Sequence, residues 1–164
     1  MICNNRPCGW DGYDCGDRLE LTIKTCDKWF AGSDMNPHFK VYRDPSSSIG
    51  PSSWTFYLDE ARDPATGITK DDELPSRDTS KTYTFLSVPA NMKIDMSKIR
   101  MTATNNNGFC LKSLAMMQVG QAKRYMRVKA NQSNELWLGR DWRNSSEDNE
   151  SHRWYLYSNQ NASK

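Results

Sequence analysis

The strict alternation of apolar and polar residues in Leu19–Thr25 restricts this chain more than any other feature. Its letters, LELTIKT, put every second side chain on one face of an extended strand. Similar short segments recur along the chain, separated by stretches rich in Asn, Asp, Gly, Pro and Ser. These segments are 39–43, 54–58, 82–88, 99–104, 109–119, 124–128, 136–138 and 154–157. Short strands with turn signals between them predict an all-β chain, folded as an antiparallel sandwich or barrel.

The connections between the strands carry their own predictions. Only 114–118 has any helical character, and a strand explains that segment equally well. The longest connection, 59–80, contains two prolines and seven acidic residues. It is too long for a plain turn, so we expect an ordered surface loop. A tight turn is predicted at Asn105–Gly108.

Length, charge and hydropathy indicate the domain organisation and argue against two classes of protein: nucleic-acid binders and proteins with a transmembrane helix. The 164 residues predict one domain. We divide the chain into a Cys-rich N-terminal segment (1–17), a sandwich (18–158) and a C-terminal tail (159–164). With 22 Lys and Arg against 20 Asp and Glu, the net charge of +2 gives no reason to expect a nucleic-acid binder. No apolar run approaches the length of a transmembrane helix.

Cysteines and glycosylation sequons favour an extracellular location. Three of the five cysteines lie in a short segment that cannot pack a core alone, and four Asn-x-Ser sequons are present. The candidate glycosylation sites are Asn131, Asn144, Asn149 and Asn161. The polar start Met1–Arg6 is not a signal peptide. We expect the mature part of a secreted protein; the alternative is an intracellular protein with free thiols.

Five cysteines cannot all pair within one chain. The candidates for disulfides are Cys3, Cys8, Cys15, Cys26 and Cys110. Our preferred pairing joins Cys26 to Cys110 and two of the three N-terminal cysteines to each other, although the spacing does not fix the connectivity. The remaining cysteine is then free or forms an intermolecular disulfide, which leaves the oligomeric state open. Zinc is disfavoured because the cysteine spacings are wide and both histidines lie far away.

The loop after the first strand admits two interpretations. Asp27 and Asp34 can cap turns through local hydrogen bonds to the backbone, as Asx residues often do. They can instead be carboxylate ligands of Ca²⁺, which prefers six to eight oxygens. Backbone carbonyls of Gly32 and Ser33 and an amide oxygen of Asn106 would complete that calcium site.

Catalysis has little support in the sequence. His38 and His152 lie outside any nucleophile or metalloprotease motif. The acidic cluster 71–73 is more typical of a solvated loop than of an active site. We therefore expect a binding protein and no enzymatic activity.

An ordered set of motifs runs through residues 18–138. The first strand leads into Thr25-Cys26-Asp27, which is followed by Ala31-Gly32-Ser33-Asp34 and a second strand. Later in the chain come Ile99–Met101, Asn105–Gly108, Phe109, Leu111, Leu114, Met116 and Trp137-Leu138. This order resembles the PLAT domain, also called the lipoxygenase homology domain. Cys26, Ser33 and Phe109 depart from it, since that family usually has Gly, Thr and Trp there.

The resemblance implies an eight-stranded sandwich of two four-stranded sheets. It implies a non-catalytic module that binds membranes or protein partners, often with calcium at the loops of one edge. The family pattern also supports Asp27 and Asp34 as calcium ligands. Lys28, Trp29 and Phe30 would then contact a lipid surface or a partner. Alternatively, the two rings fold back over the core.

Two further functions remain open on the sequence. The first is an extracellular ligand of another protein, such as a toxin subunit, inhibitor or effector, that uses its N-terminal segment and acidic loop as the contact surface. The second is a glycan-binding module that stacks sugars on aromatic side chains. Those side chains are Trp54, Trp137, Trp142, Trp154, Tyr155 and Tyr157, with polar groups in Arg140–Arg143.

Overall fold

The computed structural model describes residues 18–27, 36–63, 65–69, 73–89, 91–102 and 108–118, together with the backbone of 124–128, 136–138 and 152–157. The strands are β1 Leu19–Thr25, β2 His38–Tyr42, β3 Ser53–Tyr57, β4 Ser80–Phe85, β5 Lys98–Thr102, β6 Phe109–Gln118, β7 Arg124–Val128, β8 Leu136–Leu138 and β9 His152–Tyr157. Within this part of the chain the helical structure is one 3-10 turn at Leu58–Glu60. The all-β prediction is confirmed, and 114–118 belongs to β6.

The pairings among these nine strands are all antiparallel. The hydrogen-bonded order is β3-β2-β5-β9-β7-β6-β1-β4, and β8 pairs with β6 beside this path. The longest ladder joins β1 to β6 and shifts register between Lys24 and Thr25. Such a bulge bends and twists a strand at the point where it occurs. Strand β1 is therefore bent at its end, just before the loop that the sequence predicts to be functional.

The two ends of this strand order face each other across one core. β3 and β4 lie at opposite ends of the order, yet the rings of Phe56 on β3 and Phe85 on β4 are 4.5 Å apart between centroids. A flat sheet cannot bring its outermost strands together, so the strands fold over into two layers. The layers enclose the alternating apolar faces of β1 and β2, whose inward side chains are fully buried: Leu19, Leu21, Ile23, Phe39 and Val41.

The predicted loop at 59–80 is ordered where the structure describes it, and it is only partly a surface feature. Arg62 and Thr69 form a β-bridge, and the Arg62 N–H donates to the Thr84 carbonyl at 2.8 Å. Further along, Leu74 and Pro75 are buried. This second half therefore packs against the core beside β1 and β4.

A buried glutamine fastens the segment before β5 to the end of β6. The side-chain amide of Gln118 donates to the Met92 carbonyl at 2.7 Å and accepts from the Ile94 N–H at 2.9 Å. Gln118 is only 5% exposed, so these backbone groups have no easy access to water. The Gln118 side chain thus supplies the hydrogen-bond partners that a neighbouring strand would otherwise provide for these two backbone groups.

We expect Gln118→Leu to lower the free energy of unfolding by about 2–4 kcal/mol, because it leaves two buried backbone groups unpaired. Urea unfolding followed by tryptophan fluorescence measures the loss. Met117→Leu, at the adjacent half-buried position, serves as the control and should change stability by less than about 1 kcal/mol. A loss below that of the control would show that the two hydrogen bonds contribute nothing.

Candidate functional site

The end of β1 is held in place by the last residues of the long connection. The Thr25 N–H donates to the Thr79 carbonyl at 3.0 Å, and the Thr25 hydroxyl donates to the Pro75 carbonyl at 2.7 Å in the interior. The Asp78 N–H in turn donates to the Cys26 carbonyl at 3.2 Å. Three hydrogen bonds therefore fix the backbone from which the predicted functional loop departs.

A disulfide to β6 also fixes the end of β1. Cys26 and Cys110 are bonded with an S–S distance of 2.04 Å, and both residues are fully buried. The Cys26 N–H also donates to the Cys110 carbonyl at 3.0 Å. The predicted pairing of these two cysteines is confirmed. Cys3, Cys8 and Cys15 lie outside the described residues.

Asp27, the first predicted calcium ligand, is engaged by an arginine. Its Oδ1 atom lies 2.7 Å from Nη2 of Arg77 and 2.8 Å from Nε of the same guanidinium. Both side chains are well exposed, at 65% for Asp27 and 41% for Arg77. An exposed ion pair of this kind stabilises the fold by only about 0–1 kcal/mol. A cation at Asp27 must share the carboxylate with Arg77 or displace it, at a small cost.

Arg77 was not foreseen from the sequence. Asp27 and Arg77 are separated by 50 positions in the chain, and only the packing of the long connection onto the end of β1 brings them together. The available signal was three basic residues, Arg62, Lys70 and Arg77, inside a connection with seven acidic ones. That signal does not reveal the partner of the arginine.

The other predicted site residues lie outside the described part of the chain. These are the ligand candidates Gly32, Ser33, Asp34 and Asn106, the contact candidates Lys28, Trp29 and Phe30, and the sequons at Asn131, Asn144, Asn149 and Asn161. Within the residues that the structure describes, no group of three or more His, Cys, Asp or Glu side chains is placed to hold a metal ion. In that same part, no helix is long and apolar enough to cross a membrane. The calcium site remains a prediction.

Trp54 belongs to the core and does not form an open sugar platform. Its ring stacks on Phe56 with 4.2 Å between centroids, and it is partly buried against the central apolar cluster. One of the six aromatic residues proposed for glycan stacking is thus used for packing. The side chains of the others lie outside the described residues.

Comparison with known proteins supports the fold. No family model matches the chain, and no curated protein does. A deletion variant of a lipoxygenase matches with a TM-score of 0.53 at 9% identity, over 86% of this chain and 16% of that chain. Coral 8R-lipoxygenase, described as activated by calcium via a C2-like domain, matches with a TM-score of 0.52 at 8% identity, over 86% and 17%. Alpha toxin from Clostridium absonum reaches only 0.47 at 13% identity, over 87% and 31%, which is too weak to support an inference.

These matches define the class of fold. The chain is an all-β domain similar to a part of lipoxygenases, and it spans about a sixth of their length. At this identity the likeness establishes the fold and not the activity. The predicted resemblance to the PLAT domain is therefore supported at the level of architecture.

Proposed function

We propose that this protein is a secreted, non-catalytic module that attaches to a lipid surface, or to a lipid-linked protein, with the help of calcium. We further propose that its layers are two four-stranded sheets, β3-β2-β5-β9 over β7-β6-β1-β4. The observation that carries the proposal is the fold shared with a lipoxygenase described as activated by calcium via a C2-like domain. The disulfide at the base of the loop supports an oxidising, extracellular compartment.

The calcium ligands in this proposal are Asp27 and the loop residues Gly32, Ser33 and Asp34, with Asn106 beside them. Asp27 directly follows the disulfide-bonded Cys26, and its side chain is exposed. The guanidinium of Arg77 supplies the positive charge at Asp27 when calcium is absent. Calcium would replace this exposed ion pair with several oxygen contacts, which favours the metal.

We expect calcium to raise the melting temperature of the wild-type protein. A ligand present at about 100 times its Kd stabilises the folded state by about 2.7 kcal/mol, which shifts Tm by about 5–10 °C for a chain of this length. Melting in calcium and in chelator measures the shift. Asp27→Asn combined with Asp34→Asn should abolish it, because both carboxylates are lost.

Arg77 provides an internal check on the same site. Since Arg77→Gln removes the competing cation from Asp27, this variant should bind calcium more tightly than the wild type. Lys93→Gln is the control, because Lys93 pairs with a different carboxylate, Asp44, at 3.6 Å. Weaker calcium binding by Arg77→Gln would contradict the assignment of Asp27 as a ligand.

Liposome sedimentation tests attachment itself. We expect vesicles containing phosphatidylserine to pellet the protein in calcium and to leave it in solution in chelator. Folding that is indifferent to calcium, together with no sedimentation, would overturn the proposed function. Deletion of residues 1–17 separates this function from the alternative of a protein ligand that uses its N-terminal segment.

A further inference from the structure

The outward faces of β2, β3 and β5 form a basic surface. On these strands Phe39, Val41, Phe56, Ile99 and Met101 point into the core. Because side chains alternate along a strand, the intervening residues face outward. Thr102, opposite His38, is buried. We call the other intervening residues the basic face: His38, Lys40, Tyr42, Ser53, Thr55, Tyr57, Lys98 and Arg100. It contains three permanent cations, and none of its eight positions is acidic.

The cations of the basic face are gathered around one tyrosine. The Nζ atoms of Lys98 and Lys40 lie 4.8 Å and 5.7 Å from the centroid of the Tyr42 ring. Arg100 lies directly opposite Lys40 in the β2–β5 ladder. Cation–π contacts on a rigid sheet restrict the lysine side chains before any ligand arrives. An anion that binds here therefore loses less side-chain entropy than it would at mobile surface lysines.

Tyr42 and Lys98 each interact electrostatically with a charged neighbour. Burial raises the pKa of the Tyr42 hydroxyl, and the positive charge of Arg100 partly offsets that rise. Asp95 lies 3.9 Å from Lys98 at one edge of the face and reduces the positive charge there. Lys40 and Arg100 lie opposite each other in the middle of the face.

The opposite outer face shows that a basic surface is not a requirement of the fold. On β1 and β4 the outward positions include Glu20, Thr22, Lys24, Ser80 and Thr82. The charges there cancel, and the hydroxyls of Thr22 and Thr82 hydrogen-bond to each other at 2.9 Å. Strand alternation alone thus produces a neutral face as readily as a basic one. The cations on β2 and β5 are therefore particular to that face.

The side chains of the basic face itself match a hydrophilic polyanion. None of its eight positions is aliphatic, although the ladder between β5 and β9 places Leu156 and Trp154 opposite Lys98 and Arg100 at its border. The exposed aliphatic residues Ile49 and Ile68 lie in connections and not on this face. Instead, hydroxyl groups of Ser53 and Thr55 and the 45% exposed ring of Tyr57 accompany the cations. Hydroxyls, an aromatic ring and cations together suit a charged sugar chain.

We propose that the basic face binds a linear sulfated polysaccharide. Its sulfate groups pair with Lys40, Lys98 and Arg100, and its sugar hydroxyls bond to the outer edge at β3. The proposal does not depend on calcium or on lipid attachment.

Heparin, a soluble sulfated polysaccharide, serves as the probe. We expect Lys40→Gln combined with Arg100→Gln to bind immobilised heparin about tenfold more weakly than the wild type. The slope of log affinity against log salt should fall by about two, one for each cation removed. Lys24→Gln combined with Lys112→Gln is the matched control, since it removes two cations from other parts of the surface and should change heparin binding by less than about twofold.

Charge-preserving variants guard against loss of folding. Lys40→Arg and Lys98→Arg keep the positive charge and should retain binding within about twofold of the wild type. Circular dichroism melts verify that each variant is folded. Equal weakening by the test and control pairs would overturn the proposal, as would equal affinity for heparin and for unsulfated hyaluronan. Sedimentation with anionic vesicles that depends on Lys40 and Arg100, without heparin binding, would assign the face to lipid and overturn it too.

Discussion

Replacing Cys26 and Cys110 together by Ala should lower the free energy of unfolding by about 4–5 kcal/mol. The two residues are separated by 84 positions, so the disulfide closes a loop of roughly half the chain. In the chain-entropy description, cross-links that close long loops restrict the unfolded state most. Few side-chain atoms are lost with the sulfurs, so the effect of the cross-link should exceed that of the missing contacts. This is one of the two largest changes that we expect.

Urea unfolding with and without a dithiol reductant measures this contribution. The comparison is made in a background with Cys3, Cys8 and Cys15 replaced by Ser, so that only the buried disulfide responds to reduction. In that background the reduced protein and the Cys26→Ala, Cys110→Ala variant should have similar stabilities. A decrease in the free energy of unfolding of less than about 1 kcal/mol would contradict the expected stabilisation by this disulfide.

The disulfide variant also addresses the proposed function. Cys26 lies beside Asp27, and the backbone N–H and carbonyl of Cys26 are both hydrogen-bonded. Without the disulfide, a cation at Asp27 would also have to order this segment. We therefore expect a smaller calcium-dependent rise in Tm in the reduced protein than in the oxidised one.

The strands followed from the sequence where burial alternates on a single face. β1 spans the predicted residues Leu19–Thr25 because each apolar residue is buried and each polar residue is partly exposed. β4 differs: the pattern predicted 82–88, whereas the strand is Ser80–Phe85. Its start is set by pairing of Ser80 and Lys81 with β1, which does not require apolar residues. Val88 is buried although it lies outside the strand. An alternating pattern cannot distinguish such a residue from a buried residue within a strand.

The site was less accessible to sequence reasoning because its contacts join distant segments. Pairing of Cys26 with Cys110 was preferred but not fixed by spacing, and it depends on β1 lying beside β6. The contact between Asp27 and Arg77 depends on how a long, irregular connection folds back. The basic face required the register of β2 and β5, which places Lys40 opposite Arg100. Each of these relations is a property of the topology, and local periodicity contains no information about it.

Phe56→Ala is the second change for which we expect a large effect, a loss of about 3–5 kcal/mol in the free energy of unfolding. Phe56 is fully buried and stacks on Phe39, with 5.6 Å between ring centroids, and on Trp54 at 4.2 Å. It also contacts Phe85 on β4, at the far end of the strand order. The substitution therefore removes apolar contacts within one layer and between the two layers.

Urea unfolding of Phe56→Ala, Phe56→Leu and Thr55→Ala distinguishes these contributions. Thr55 is exposed on the same strand and should cost less than about 1 kcal/mol. Phe56→Leu fills most of the cavity and should recover more than half of the loss if packing volume dominates. Phe85→Ala combined with Phe56→Ala should cost less than the sum of the single changes, since the two rings touch. Strict additivity would mean that the contact between β3 and β4 does not hold the layers together, and that closure depends on the strands between them.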